Sequence, residues 1–408
     1  MALTLSEKAK NVKPSSTLEI TARSKALKAE GRDIVGFGAG EPDFPTPKNI
    51  CDAAVKAIQE GFTRYTPASG INELKEAISE KFRRFNHLEY APDQIVVSNG
   101  GKHALTNIFT AIVNPGDEVI IPAPYWLSYP EMVKLAGGVP VFVYGESAND
   151  YKVTAEQLEK VVTDKTKALI MCNPNNPTGM IYSREELKPI ADFIVKHDIY
   201  CVSDEMYENL IYTGEEYVSM ASFGPEVYDR TITCSGLSKS YSMTGWRVGY
   251  TGSSKELARA MGAVQSHSTS NINSVAQKAA VEALNGPQDE VESMRQAFEE
   301  RGNYIYERVA AMPKVTAPKP EGAFYIFCDF SEVLEEYYKG EKIETTQKLA
   351  QILLNDYDVA VIPCADFGFP KHVRLSYAIS KESIKKGMDR IEKFINDLAL
   401  EDSGEMAG

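Results

Sequence analysis

Apolar positions along the chain follow two spacings. Short apolar runs at 94–98, 118–122, 139–143, 168–172, 199–203, 231–235 and 248–252 read as buried strands. Several are separated by stretches in which apolar residues return every third or fourth position, the repeat of a helix with one face in a core. The clearest helix spans 183–197, where Ser183 and Glu186 form a capping box. Another opens at Asn99-Gly100-Gly101-Lys102 and carries Leu105, Ile108, Phe109, Ile112 and Val113 on one face. Helical patterns also cover 48–59 and 71–86. The alternation predicts an α/β fold, a mostly parallel central sheet with helices on both faces. Such sheets bind ligands beyond the carboxyl ends of their strands. Gly100, Gly101, Trp126, Asn176, Asp204 and Lys239 each follow a predicted strand within a few residues.

After Gly286-Pro287 the pattern changes to a long polar helix over 288–312, short strands near 324–328 and 359–363, a strand at 374–378 and a last helix over 381–398. This predicts a smaller α+β domain, completed by the segment before residue 48. There Lys13-Pro14-Ser15-Ser16-Thr17 reads as a cap leading into a helix through Leu18, Ile20, Ala22, Ala26 and Leu27, which stops at Gly31. Residues 34–47 are too rich in glycine and proline for regular structure and suit close approach of backbone to a ligand. The predicted organisation is an amino-terminal arm (1–14), a small domain (15–47 with 287–400), a large domain (48–286) and a disordered tail (401–408).

Length and charge narrow the function. A chain of 408 residues suits two domains. With 44 Lys and Arg against 57 Asp and Glu, the net charge of -13 argues against nucleic acid or an anionic membrane as partner. The six cysteines are scattered without pairing or metal-ligand spacing, which predicts free thiols in a reducing compartment. Residues 1–13 lack the apolar core of a secretion signal, and no apolar run approaches membrane-spanning length, so a cytoplasmic location is expected. His197 and His372 have no metal-ligand partner at suitable spacing, no metal is expected, and His103 has no assigned role.

The chemistry centres on Ser238-Lys239. This lysine follows the apolar run 231–234, is flanked by small hydroxyl residues and precedes Arg247. Among apolar neighbours and near another cation, a lysine loses some preference for its charged form, and a neutral amine condenses with an aldehyde. Hydroxyls, a guanidinium and the Gly100-Gly101 turn at a helix start suit a phosphate. Asp204 ends an apolar strand, where a carboxylate needs a cation or donor. An acid, a tyrosine beyond it, a turn asparagine, a strand-end lysine and an arginine form the set that an aldehyde on a pyridine ring requires: Asp holds the ring nitrogen protonated, Tyr and Asn hold the ring oxygen, Lys binds the aldehyde and Arg anchors the phosphate.

The segments Asn176-Pro177-Thr178-Gly179, Ser203-Asp204-Glu205-Met206-Tyr207, Ser238-Lys239 with Gly245-Trp246-Arg247-Val248-Gly249, and Arg374-Leu375-Ser376-Tyr377 occur in order. In them, and over nearly all its length, the chain resembles class I pyridoxal-phosphate aminotransferases of fold type I, in particular the bacterial aspartate aminotransferase branch. The resemblance implies that Lys239 bears pyridoxal 5'-phosphate and shuttles the proton, that Asp204 pairs with the ring nitrogen, and that Tyr207 and Asn176 bind the ring oxygen. It implies that Arg247, Ser238 and the Gly100-Gly101-Lys102 backbone hold the phosphate, and that Trp126 stacks on the ring. Arg374 would take the substrate α-carboxylate, with Gly40 closing over it. Tyr65 matches a tyrosine that family members lend to the neighbouring subunit, so a homodimer is expected. One departure stands out: family members carry a hydroxyl residue three before the lysine, where this chain has Gly236. Either Ser235 or Ser238 then supplies the contact, or it is missing.

These implications predict ping-pong transfer of an amino group from L-aspartate to 2-oxoglutarate, with Lys102 reading the distal carboxylate; a Lys102 turned to solvent or to the phosphate is the alternative. Trp126 and the 36–44 loop leave room for aromatic or prephenate-like substrates. The same fold also hosts β-lyases and cyclases. A non-catalytic regulator would need a basic DNA-binding domain for which this acidic chain has no spare segment.

Overall fold

The computed structural model describes residues 3–14 and 16–403. In chain order its strands are β1 Val35–Gly36, β2 Ile95–Asn99, β3 Glu118–Ala123, β4 Val139–Tyr144, β5 Thr166–Cys172, β6 Tyr200–Asp204, β7 Thr231–Gly236 and β8 Val248–Gly252. There follow β9 Tyr325–Asp329, β10 Tyr337–Tyr338, β11 Glu341–Lys342, β12 Val359–Ala360, β13 Ile362–Pro363 and β14 His372–Ser376. Seven of them form one sheet in the order β2-β8-β7-β6-β5-β3-β4. All neighbours are parallel except β8, which runs antiparallel to both β2 and β7.

Alternating side chains on these strands feed two cores. Val119, Ile121, Ala168, Ile170, Val202 and Ile232 pack with helices Gly101–Ile112 and Lys255–Ser268. Ile120, Leu169, Met171 and Cys201 point the other way, to helix Arg184–His197. The strands are apolar on both sides, as a sheet covered on both faces demands. The capping box is formed: Ser183 Oγ accepts from Glu186 N–H at 3.2 Å, and Glu186 accepts from Ser183 N–H at 2.7 Å.

A second, antiparallel sheet, β13-β14-β9, packs with helices Asp289–Ala310, Thr346–Asp356 and Lys381–Ser403 around Phe298, Ile305, Phe324, Leu353, Ile391 and Phe394. Truncating one of these rings to alanine costs about 3–5 kcal/mol.

Four local expectations change. The helix predicted over 71–86 is regular only over Asn72–Lys81; a wider π turn, Phe82–Asn86, follows and ends at His87 with φ 55°. Within the segment read as irregular, Val35–Gly36 forms β1 and pairs in parallel with β12. The strand predicted over 359–363 is two strands, since the chain leaves β1 after Ala360 and joins β14 from Ile362. The last helix runs to Ser403, beyond the predicted start of the tail, and residues 404–408 lie outside the described residues, as does Ser15 of the predicted cap. The helix after that cap spans Ser16–Ala29, and the arm before it holds a turn of helix, Glu7–Lys10.

Candidate active site

The ends of β5, β6 and β7, the start of helix Gly101–Ile112, the 38–41 segment and β14 surround one cavity of about 620 Å³. Gly40, Gly101, Lys102, Trp126, Asn176, Asp204, Tyr207, Ser238, Lys239, Arg247 and Arg374 all line it. Tyr65 is not in its lining and is 92% exposed on the surface of the chain.

Lys239 is half-buried and its Nζ donates to Gly40 O. Burial, then the charge of Arg374, brings its pKa down to about 8. About a tenth is therefore the neutral, nucleophilic amine at pH 7, far more than for an ordinary lysine. Asp204 is buried at the end of β6; Tyr129 Oη donates to its Oδ2 at 2.5 Å and the Met206 N–H to its Oδ1 at 3.2 Å. Burial pushes this carboxyl up, against the two donors and Lys239. A cationic ring nitrogen beside it would reverse that shift.

Arg374 sits mid-strand in β14, 2% exposed, with its guanidinium 4.4 Å from the Tyr325 ring centre. Its Nη1 donates to Asn176 Oδ1 at 2.9 Å and its Nη2 to Gly38 O at 3.4 Å, while Nε is buried with no partner among the described residues. An orphaned buried donor calls for an acceptor, and the guanidinium fork matches a carboxylate. Because Asn176 accepts through Oδ1, its amide N–H groups remain available to a ligand oxygen. The hydroxyls of Tyr207 and Tyr325 are 2.8 Å apart.

At the other end of the cavity Arg247 holds φ 59°, with Nη1 donating to Thr244 O at 2.8 Å and Nη2 to Asn99 O at 3.4 Å. Gly100, at φ 83°, caps helix Gly101–Ile112, and a Cβ there would collide with the Arg247 guanidinium. The helix start and the Arg247 guanidinium meet here, and Ser238 lines the same cavity, a combination that suits an anion. Lys102 Nζ lies 5.0 Å from the Trp126 ring centre, and burial together with Arg247 lowers its pKa.

The hydroxyl question at Gly236 resolves against Ser235. Its Oγ turns away, donating to Glu208 Oε1 at 2.6 Å, and the side chain is fully buried, leaving Ser238 on the cavity. A Cβ at position 236 would lie 2.9 Å from Val248 O, because β7 and β8 pack glycine on glycine there.

Sequence reasoning missed Tyr129 and Tyr325. Tyr129 stands three residues after Trp126 as helix Ser128–Leu135 begins, a spacing that returns it to the same face. Tyr325 lies in an apolar strand, and nothing in its neighbours marks it.

A sequence model of the family "Aminotransferase class I and II" matches residues 32–391. An aspartate aminotransferase from a Bacillus species (strain YM-2) is 50% identical over 391 residues, covering 96% of this chain and 99% of that protein. An aspartate/prephenate aminotransferase from Cereibacter sphaeroides is 47% identical over 397 residues, covering 97% and 99%. The crystal structure of an aspartate aminotransferase from Rhizobium meliloti superposes with a TM-score of 0.93 at 39% identity, over 97% of this chain and 99% of that one. With matches of this extent joined to the lysine, acid and arginine geometry above, the chain belongs to the class I and II aminotransferases and is a pyridoxal 5'-phosphate-dependent enzyme.

Proposed function

We propose that the enzyme transfers the amino group of L-aspartate to 2-oxoglutarate in two half-reactions, as a cytoplasmic homodimer. The observation that carries this reading is the pairing, in one cavity, of a buried arginine with an unpartnered Nε and a lysine whose pKa has fallen to about 8. Arg374 holds the α-carboxylate of either amino acid or oxo acid, with Gly40 beside it. Lys239 Nζ takes the α-proton and later returns it, which its depressed pKa permits near neutrality. When bound, pyridoxal phosphate supplies the aldehyde that receives the amino group and a ring that accepts the electron pair from Cα. Asp204 would keep that ring's nitrogen protonated, Tyr207 and Asn176 would hold its oxygen, and Trp126 would lie against the ring. Arg247, Ser238 and the Gly100 to Lys102 backbone hold the phosphate, and the exposed Tyr65 reaches the neighbouring subunit's phosphate. Residues 48–286 act as the cofactor domain, and 15–47 with 287–400 as the smaller one. No described helix is long and apolar enough to cross a membrane.

Lys102, an exposed residue at the helix start with its Nζ over the Trp126 ring, reads the distal carboxylate of aspartate. The name of the Cereibacter relative and the Trp126 ring favour prephenate as a second acceptor. An amino-donor panel with Lys102→Ala tests the substrate: aspartate turnover should fall far more than turnover of aromatic donors. Equal losses would overturn the assignment of Lys102, and ammonia released in place of a paired oxo acid and amino acid would overturn transamination.

A further inference from the structure

The turn after β6 has two faces. Asp204 and Tyr207 line the cavity, while Glu205 and Glu208 are buried on the opposite side, 0% and 1% exposed. The backbone closes the turn, with Glu208 N–H donating to Glu205 O at 3.0 Å and Glu205 N–H to Cys234 O at 2.8 Å. Every carboxylate oxygen on the buried face has a donor. Ser203 Oγ donates to Glu205 Oε1 at 2.9 Å, and Ser219 Oγ and Asn86 Nδ2 donate to Glu205 Oε2 at 2.6 and 3.2 Å. Asn86 Nδ2 also donates to Glu208 Oε2 at 2.7 Å, and Ser235 Oγ donates to Glu208 Oε1 at 2.6 Å. Lys81 Nζ forms an ion pair with that same Glu208 oxygen and donates to Asn86 Oδ1 at 2.8 Å.

These donors come from separate parts of the chain: a helix end, the π turn that swings Asn86 inward, β6, the segment before residue 220, and β7. The aromatic rings of Phe82 and Phe85 surround Lys81, with centres 4.9 and 5.3 Å from Nζ. Burial and the neighbouring Glu208 push the Glu205 carboxyl well above the usual carboxylate range. A buried ion pair gains little net stability, because desolvation cancels most of its attraction, and what it fixes is geometry.

We propose that Lys81, Asn86, Glu205 and Glu208 form a positioning network that sets the aim of Asp204 and Tyr207 without touching the cofactor. The inference rests on the reading of Asp204 and Tyr207 as cofactor contacts. A reacting group displaced by about 1 Å costs on the order of 100-fold in rate, so a loosened turn lowers turnover while Arg374 still binds substrate.

The test compares the holoenzymes of Lys81→Met, Lys81→Met/Glu208→Gln and Asp204→Ala with the parent enzyme. Thermal midpoint, kcat and KM with L-aspartate and 2-oxoglutarate, and visible circular dichroism of the bound cofactor are measured. Lys81→Met strands a buried carboxylate and should lower the thermal midpoint; the double variant removes the stranded charge and should regain most of it. In both, kcat should stay about 10- to 100-fold down, with KM nearly unchanged and the visible dichroism diminished. Should Lys81→Met fail to fold, the double variant carries the test alone. A double variant whose kcat and dichroism match the parent would overturn the positioning role. The Asp204→Ala arm separates the two readings: if it keeps parental dichroism and turnover, the assignment of the turn's cavity face is wrong; if it loses both while the network variants keep them, the positioning inference alone fails.

Discussion

The cavity wall built by the seven-stranded sheet carries its polar groups at or just past strand ends, at Asn176, Asp204 and Lys239. The wall built by the three-stranded sheet carries a single cation, Arg374, mid-strand between Ile362 and Phe327 in the register. The first wall is a set of strand-end turns; the second is one guanidinium held by Asn176 Oδ1, Gly38 O and the Tyr325 ring. On the proposed reading the first handles the cofactor and the second the substrate carboxylate, and variants of each wall should separate turnover from substrate binding.

The largest effect belongs to the first wall. Replacing Lys239 with alanine removes the group proposed to move the proton, and steady-state turnover should fall by roughly 10⁴-fold. Turnover within about tenfold of the parent would break the distinction between the walls, since general acid-base catalysis is worth at least about 100-fold.

Arg374→Leu comes next. It deletes the proposed buried, charge-assisted contact to the substrate carboxylate and strands Asn176 Oδ1, whose donor is Arg374 Nη1 at 2.9 Å. Losing such a contact costs about 2–5 kcal/mol, so KM for the amino acid should rise by roughly 30-fold or more. A variant in which kcat falls while KM holds would assign Arg374 to the first wall's work.

A smaller effect concerns the cofactor-free protein, in which the amine of Lys239 is buried at a free-energy cost. Its pKa is about 8 folded against an ordinary 10.5. Below pH 8 both folded and unfolded chains hold the proton, and the cost is present in full. Between about 8 and 10.5 the folded state has shed the proton and the unfolded state has not, so stability rises with pH and the cost disappears. Lys239→Met should therefore stabilise the cofactor-free protein at pH 7 by about 3 kcal/mol in urea unfolding, with the gain shrinking toward pH 10.5. A gain independent of pH would mean that the amine is hydrated in that state.

The two walls also differ in how much of them the sequence discloses. Strand-end residues are legible because an apolar run ending in a polar residue is itself the signal, as at Ile199-Tyr200-Cys201-Val202-Ser203-Asp204. Arg374 opens a predicted strand and has no such mark; only resemblance to known aminotransferases singles it out. The groups that hold the site together are less legible still, because they meet across long separations. Tyr207 and Tyr325 are 118 residues apart, and Asn86 lies 119 residues before Glu205. The π turn that brings Asn86 inward continues directly from the α-helix it follows, so periodicity alone reads 71–86 as one element. At Gly236 the sequence displays a missing hydroxyl, whereas the reason, contact with Val248 O, exists only once β7 and β8 are side by side.

Tyr129→Phe probes the boundary between placing a group and tuning it, with the smallest expected effect. Tyr129 donates to Asp204 Oδ2 at 2.5 Å and favours the ionised carboxyl, whereas burial opposes it. Hydrogen bonds to charged groups are worth about 1.5–3 kcal/mol, so the variant should push the Asp204 carboxyl further up and weaken its proposed hold on the ring nitrogen. Turnover should fall by about tenfold, toward the low end of that range. The KM for the amino acid should stay put, because Arg374 and Asn176 keep their own bond. The Cδ–Cε framework of the ring remains against Trp126, whose ring centre is 5.5 Å away, so packing should be preserved. If KM rises with the loss of the hydroxyl, the two walls are coupled through Tyr129. If turnover falls alone, tuning of Asp204 is confined to the wall that bears it.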